Sequence, residues 1–346
     1  MNKMDETTKA RYEAWKKKKI LKLILMLVVS LILVGLLIFG LRQLNFGNEN
    51  EGGNGDLPTE ASETRETTAP PTATEPTLSD HLDIDRLNAM QDELEQLLNE
   101  MLNQISGKIG LSYYCLTTGR HIGINDDDIF FSASTIKLPT HMMIAESVED
   151  GVLSWNQLLT VEEEHWFGGS GVLQHRINVG HELTLYEVMR HSIIYSDNIA
   201  HRMLTRALIP DFQHGSFGLD NDQWRLTTEV FNRYLSGEAP TGRMLITPNQ
   251  LTEIFKVLYR DRDEIEGYRM ILEQMMNTSW EDRFSTSLVE GIMAHTLGWA
   301  DPYHHDSGIF FTDRPYILVI MTSGVADAPN FLSNISDLIF QFHLAR

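Results

Sequence analysis

Ser134 and Lys137 stand three residues apart in the stretch Phe131-Ser132-Ala133-Ser134-Thr135-Ile136-Lys137-Leu138-Pro139. If a helix opens at Ser134, the two share one face. A serine hydroxyl is a poor nucleophile until a neighbouring base takes its proton. A lysine in a partly desolvated pocket can have its pKa lowered enough to act as that base. The helix N-terminus adds unpaired backbone N–H groups that favour a developing oxyanion. The bland reading is an N-cap serine and a solvated lysine. Against it, residues 81–346 hold eighteen serines but only three lysines, Lys108, Lys137 and Lys256, so the position of each lysine carries information. A second stretch, Tyr195-Ser196-Asp197-Asn198, ends the helical pattern Leu183–Ile194. Its serine can pass a proton to a leaving amine, and its asparagine amide can bind a substrate carbonyl. Ser-Asp-Asn alone is a commonplace helix cap. Sixty-two residues beyond a Ser-x-x-Lys it is no longer commonplace.

These elements resemble the penicillin-recognising serine hydrolases, specifically the class A β-lactamase-like group, whose signature is Ser-x-x-Lys, Ser-Asp-Asn and Lys-Thr-Gly in that order. The resemblance covers nearly all of residues 83–346, including the Thr117-Thr118-Gly119 turn and Ser-Gly-Val-Leu-Gln at 170–174. It implies an α+β sheet sandwich with an all-helical subdomain and an active site between them. Carried over, Ser134 is the acylated nucleophile, Lys137 its base, Ser196 the relay to the leaving nitrogen and Asn198 a contact for the substrate's amide.

The third element departs from the pattern. The sequence reads Ala294-His295-Thr296-Leu297-Gly298-Trp299, where the group commonly shows Ala-His-Lys-Thr-Gly-Trp. The ungapped register puts Thr296 at the lysine and keeps Gly298. A one-residue slide puts His295 and Thr296 on the Lys-Thr pair but sets Leu297 where glycine keeps the strand edge open. Either way the cation expected to hold a substrate carboxylate is missing. His295 is a stand-in only when protonated, which near an ordinary pKa of about 6.5 is pH-dependent. The resemblance also implies an oxyanion hole from the N–H groups of Ser134 and Trp299. A deacylating glutamate is not placed by spacing: Glu229 and Asn232 stand near the right distance, but Glu229 fits equally as an exposed helix residue. A penicillin would then acylate the enzyme and stay.

Other clusters carry less. His304-His305-Asp306 looks ligand-like, but adjacent histidines on a strand face opposite sides, and no His-Glu-x-x-His run exists, so neither metal nor cofactor is expected. Gly168-Gly169-Ser170-Gly171 lacks the Lys-Ser/Thr of a phosphate loop and reads as a flexible edge beside the cleft, with Trp166 and Phe167 as apolar walls. Glu162-Glu163-Glu164 reads as a solvated charge run. Cys115, the sole cysteine, excludes an intramolecular disulfide framework and reads as a buried thiol in a strand.

The elements that must position this chemistry follow from periodicity. Ile84, Leu87, Leu94, Leu98, Met101 and Ile105 give a helix over 83–105. Residues 109–116 and 121–124 form a hairpin. Helical patterns fill 134–149, 184–207, 248–260 and 264–277. Strands follow at 289–297, 306–312 and 315–322, then an amphipathic helix at 328–344. That order predicts an α+β domain, an antiparallel sheet flanked by helices plus an all-helical subdomain.

Charge divides the chain. The formal net charge is −20, yet residues 1–44 carry nine Lys/Arg against three Asp/Glu, leaving −26 for residues 45–346. The acidic body argues against nucleic acid as a partner. Residues 1–22 form a basic tail, and 23–41 an uncharged run that as a helix is about 28 Å long, enough to span a bilayer. The lysines before it predict a cytoplasmic N-terminus and an extracytoplasmic body. A cleaved signal peptide would have a shorter apolar region and a small-residue cleavage site. Residues 42–80, rich in Thr, Pro and Glu, form a disordered spacer, and 81–346 the hydrolase domain. The expected protein is a single-pass, membrane-anchored serine hydrolase acting on a β-lactam or a D-amino-acid cell-wall peptide. The alternative is a catalytically degenerate penicillin- or peptidoglycan-binding or regulatory module on the same fold.

Overall fold

The central strand Tyr316–Ser323 of the main sheet buries both of its faces, and the sequence shows why. Tyr316-Ile317-Leu318-Val319-Ile320-Met321 is an unbroken apolar run. Ile317, Val319 and Met321 enter one core, while Leu318 and Ile320 enter another. Period-two alternation in a strand covered on both sides produces this division.

The computed structural model describes residues 81–212, 223–235, 244–280 and 282–344, all within the compact unit Glu66–Arg346. The tail, the apolar run and the spacer lie outside the described residues. Among the described residues no helix is long and apolar enough to cross a membrane. Helix α1 (His81–Leu102) leads into β1 (Lys108–Cys115), β2 (His121–Ile124) and the short β3 (Phe130–Phe131). A 3-10 turn, Ala133–Ile136, runs directly into α2 (Lys137–Glu149). Strands β4 (Leu158–Thr160) and β5 (Glu182–Thr184) precede α3 (Leu185–Ile194), α4 (Asn198–Leu208) and α5 (Gln223–Tyr234). Strand β6 (Leu245–Ile246), α6 (Pro248–Arg260) and α7 (Glu266–Met275) follow, then β7 (Met293–Ala300), β8 (Tyr303–Phe310), β9 (Tyr316–Ser323) and α8 (Ala328–Leu344).

The sheet is antiparallel with strand order β2-β1-β9-β8-β7. One core joins it to α1 and α8 through Leu94, Leu98, Leu332, Ile335 and Ile339. The other joins its opposite face to the central helices through Met142, Val188, Met203, Ile254 and Ile271. The architecture is the α+β arrangement expected, and Cys115 is a buried free thiol.

Three boundaries differ from the periodicity. The expected helix at 184–207 breaks at Tyr195–Asp197, where Asp197 caps a fresh helix by accepting from the N–H groups of Ile199 and Ala200 at 2.9 and 3.1 Å. The expected helix at 134–149 opens instead as a 3-10 turn, with Ala133 at φ +47° before it. Strands β7 and β8 lie two to four residues nearer their shared Ala300–Tyr303 turn than expected. Their ends carry His, Asp and Gly, which hide a strand from an apolar count.

Candidate active site

In a 3-10 turn, side chains three apart are eclipsed rather than merely on the same side. Ser134 and Lys137 occupy that relation, and the Lys137 N–H donates to the Ser134 carbonyl. Ala133 at φ +47° is left-handed and costs strain in a residue with a Cβ, so the chain turns sharply just before the serine. The Ser134 side chain is half-buried and makes no hydrogen bond among the described residues.

Lys137 is 4 % exposed. It donates to the Ser196 carbonyl at 2.5 Å, to Asn198 Oδ1 at 2.9 Å and lies 3.1 Å from Ser196 Oγ. Burial pulls its pKa down to about 7, and the Asp197 carboxylate opposes that fall in part. A neutral amine with this surround keeps a lone pair for a serine proton, which is what a general base requires. One turn further along α2, His141 lies 2.8 Å from Ser192 Oγ, and burial, aided by the Lys137 charge, lowers its pKa to about 3.

Ser196 reaches Lys137 from a turn at φ +48°. Asp197 holds that turn from two sides, capping α4 and accepting from the Leu173 N–H at 2.8 Å. A Cβ on Gly171 would meet the Asp197 carboxylate at 2.2 Å, so the 168–173 loop approaches this closely only through glycine. Asn198 donates from Nδ2 to the Gly168 carbonyl at 3.0 Å, and its N–H donates to the Ser170 carbonyl at 3.1 Å. The Gly-Gly-Ser-Gly segment is thus bonded along the Ser-Asp-Asn turn. Beside it Trp166 is 40 % exposed, while the Phe167 ring lies under the Arg202 guanidinium at 4.4 Å.

Strand β7 is the sheet edge that faces the 3-10 turn. A Cβ on Gly298 would lie 2.9 Å from the Ser132 carbonyl oxygen and 3.1 Å from Thr135 Cγ2. Glycine at 298 therefore permits the close approach, and Thr296 shares its face by alternation. Leu297 is buried on the other face, so the register that would set a leucine at this approach is not the one adopted. His305, cross-strand from Gly298, donates from Nε2 to the Phe131 carbonyl at 2.8 Å and accepts from the Thr322 N–H at 3.1 Å. Burial lowers its pKa to about 4. It is a neutral strut that ties β8 to the strand entering the nucleophile turn.

Two candidates stand elsewhere. His295 is turned to the opposite sheet face, where its Nδ1 lies 3.0 Å from the buried Asp306. Asp306 also accepts from the N–H groups of Phe284 and Ser307. The expectation that His295 supplies a substrate-binding cation is therefore corrected: strand alternation sends it away from Gly298. Glu229 lies exposed on α5 and pairs with Arg233 at 3.4 Å, as a helix-surface residue would. The Trp299 indole is 55 % exposed and stacks on His304 with ring centroids 6.3 Å apart. Sequence reasoning overlooked Asp197 and His305 as supports. The first was legible as an N-cap, whereas the second depends on a cross-strand register.

Among the described residues Glu162, Glu164 and His165 bring ligand-type atoms within 4.8 Å of one another, but Arg206 pairs with the Glu164 carboxylate, which lowers its availability to a cation.

Solved structures similar to this chain share the fold. A variant of PBP-A, solved as an acyl-enzyme complex with penicillin G, superposes with a TM-score of 0.61 at 19 % identity, covering 75 % of this chain and 98 % of that one. A β-lactamase from Chitinophaga pinensis DSM 2588 gives 0.61 at 17 % identity, covering 71 % and 97 %. One from Sphaerobacter thermophilus DSM 20745 gives 0.58 at 20 % identity, covering 70 % and 94 %. No curated protein matches. The model of the β-lactamase enzyme family matches residues 93–343. With that span of the chain matched, and the sheet and helices arranged as described, the chain belongs to the β-lactamase enzyme family.

Proposed function

We propose that this protein is a membrane-anchored, extracytoplasmic serine hydrolase that forms an acyl-enzyme with a β-lactam or a D-amino-acid cell-wall peptide. The observation that carries the reading is Lys137, a buried amine with its pKa lowered to about 7, bonded to Ser196 and Asn198. In this mechanism neutral Lys137 takes the Ser134 proton as Oγ attacks the carbonyl carbon. The N–H groups of Ser134 and Trp299 hold the oxyanion. Ser196 hands the proton to the leaving nitrogen, and Asn198 exchanges Gly168 for the substrate's amide carbonyl. Water then cleaves the ester.

Time-resolved intact-mass analysis of the full chain with a fluorescent penicillin tests this. A slowly decaying adduct fits the reading, because Glu229 stands on the α5 surface and deacylation lacks an assigned base. Rapid turnover would assign true β-lactamase activity. The rival, a degenerate binding or regulatory module, is favoured by Thr296 in the place of a cation, and it requires no covalent adduct at all. Topology has its own test: an alkaline phosphatase fusion after residue 80 is active only if that side lies outside the cell.

A further inference from the structure

The face of β7 toward the nucleophile turn carries hydroxyl chemistry and, among the described residues, no fixed cation. Thr296 is half-buried there, and its hydroxyl makes no hydrogen bond among the described residues. Its cross-strand neighbour Ser307 donates its own hydroxyl to the Thr296 carbonyl at 3.0 Å. On the same face His305 has both ring nitrogens bonded, and burial keeps it neutral above a pKa of about 4. His295 is held by Asp306 on the far side of the sheet. The ammonium of Lys137 is saturated by Ser196 and Asn198, with the Asp197 carboxylate behind it. Lys108 and Lys256 pair with Asp128 and Glu253 elsewhere on the surface.

A carboxylate entering this site loses its hydration and gains no directly bonded cation in return, only the more distant charge of Arg283 that reaches His305. The −26 of residues 45–346 opposes its approach as well. An amide or ester carbonyl asks only for a donor, and a threonine hydroxyl is one.

We propose that the substrate group held against Thr296 is an uncharged carbonyl, so that the enzyme cuts within a peptide, where an amide follows the scissile bond, rather than beside a free terminal carboxylate. This rests on the acyl-enzyme reading above and narrows it. Ser134 Oγ bonds to the scissile carbonyl carbon as its C–N bond breaks. The serine proton passes through Lys137 and Ser196 to the leaving amine. Water then cleaves the ester, restoring the serine hydroxyl and releasing a carboxylic acid.

The test uses benzylpenicillin and its methyl ester on the purified full chain and on Thr296→Lys, with acylation rates read by intact mass. The wild type is expected to react with the ester at least as fast as with the acid, and Thr296→Lys to shift the ratio about tenfold or more toward the acid. A wild-type preference for the acid of about tenfold, unchanged in Thr296→Lys, overturns the proposal and leaves the acyl-enzyme reading standing. No adduct with either probe overturns that reading and this one with it. If Thr296→Lys does not fold, the wild-type ratio alone decides.

Discussion

Lys137 Nζ lies 2.5 Å from the Ser196 carbonyl oxygen, bridging the helix that follows the nucleophile turn and the turn between α3 and α4. The two ends come from residues fifty-nine apart in sequence. Each is locally constrained, Ser196 at φ +48° and Lys137 at the exit of the 3-10 turn that Ala133 enters at φ +47°. Strain of this kind, retained on both sides of one hydrogen bond, concentrates where geometry serves chemistry.

The first consequence is a pH profile. Acylation needs neutral Lys137, so its rate should climb about tenfold per pH unit below about 7 and level off above. Lys137→Arg should not rescue it, because a guanidinium stays protonated. Stability follows with a definite sign. The folded pKa of about 7 lies below the ordinary lysine value of 10.5, so the unfolded chain binds more protons between those values. Stability should rise with pH through that window, with the burial penalty fully present below pH 7. Lys137→Met should therefore lose labelling while melting no lower than the wild type at pH 6, as thermal scans can check.

Asp197→Asn keeps an oxygen for the α4 cap and removes the charge that raises the Lys137 pKa. Its rate profile should move to lower pH, and because its amide NH2 then faces the buried Leu173 N–H, stability should fall by about 1–3 kcal/mol. A profile that stays in place would contradict the electrostatic role assigned to this carboxylate.

Gly298→Ala probes the approach of β7 to the nucleophile turn. The added methyl meets backbone at Ser132 and the side chains of His305 and Thr135, so it should cost about 1–3 kcal/mol in denaturant titrations. Labelling should fall with it, since the strand edge and the turn are pushed apart.

His295→Ala separates sheet structure from substrate recognition. It leaves the buried Asp306 carboxylate one partner short, at a cost of about 2–3 kcal/mol. The ratio of acylation by carboxylate and ester probes should not change. A selective loss of carboxylate probes would return His295 to the cleft.

Much of this site was legible because its parts are local. Ser134 and Lys137 are one turn apart, and Ser196 and Asn198 are two residues apart, so spacing, chemistry and the family resemblance pointed to them, while the supporting role of Asp197 between them went unread. Helix α6 at 248–260 and α8 at 328–344 were readable from apolar period and caps, with Thr247 capping α6 by accepting from the Gln250 N–H at 3.2 Å. The edge strand was harder. Which of His295 and Thr296 faces the cleft depends on alternation counted from Gly298, and the approach that fixes Gly298 is tertiary. The span of helix α5 was not delimited, although Glu229 was read as fitting a helix surface, and the two-residue strands β3 and β6, which pair with each other, went unread. His305 offers no local signal, because its partners Phe131 and Thr322 come from distant segments.

Peptide mapping of the penicillin adduct, with Ser134→Ala as the paired control, tests the central claim most directly. The expected result is a single acyl group on the peptide containing Ser134, absent from Ser134→Ala although that variant folds and melts like the wild type. An adduct that persists in Ser134→Ala, or one that maps to another residue, would contradict it.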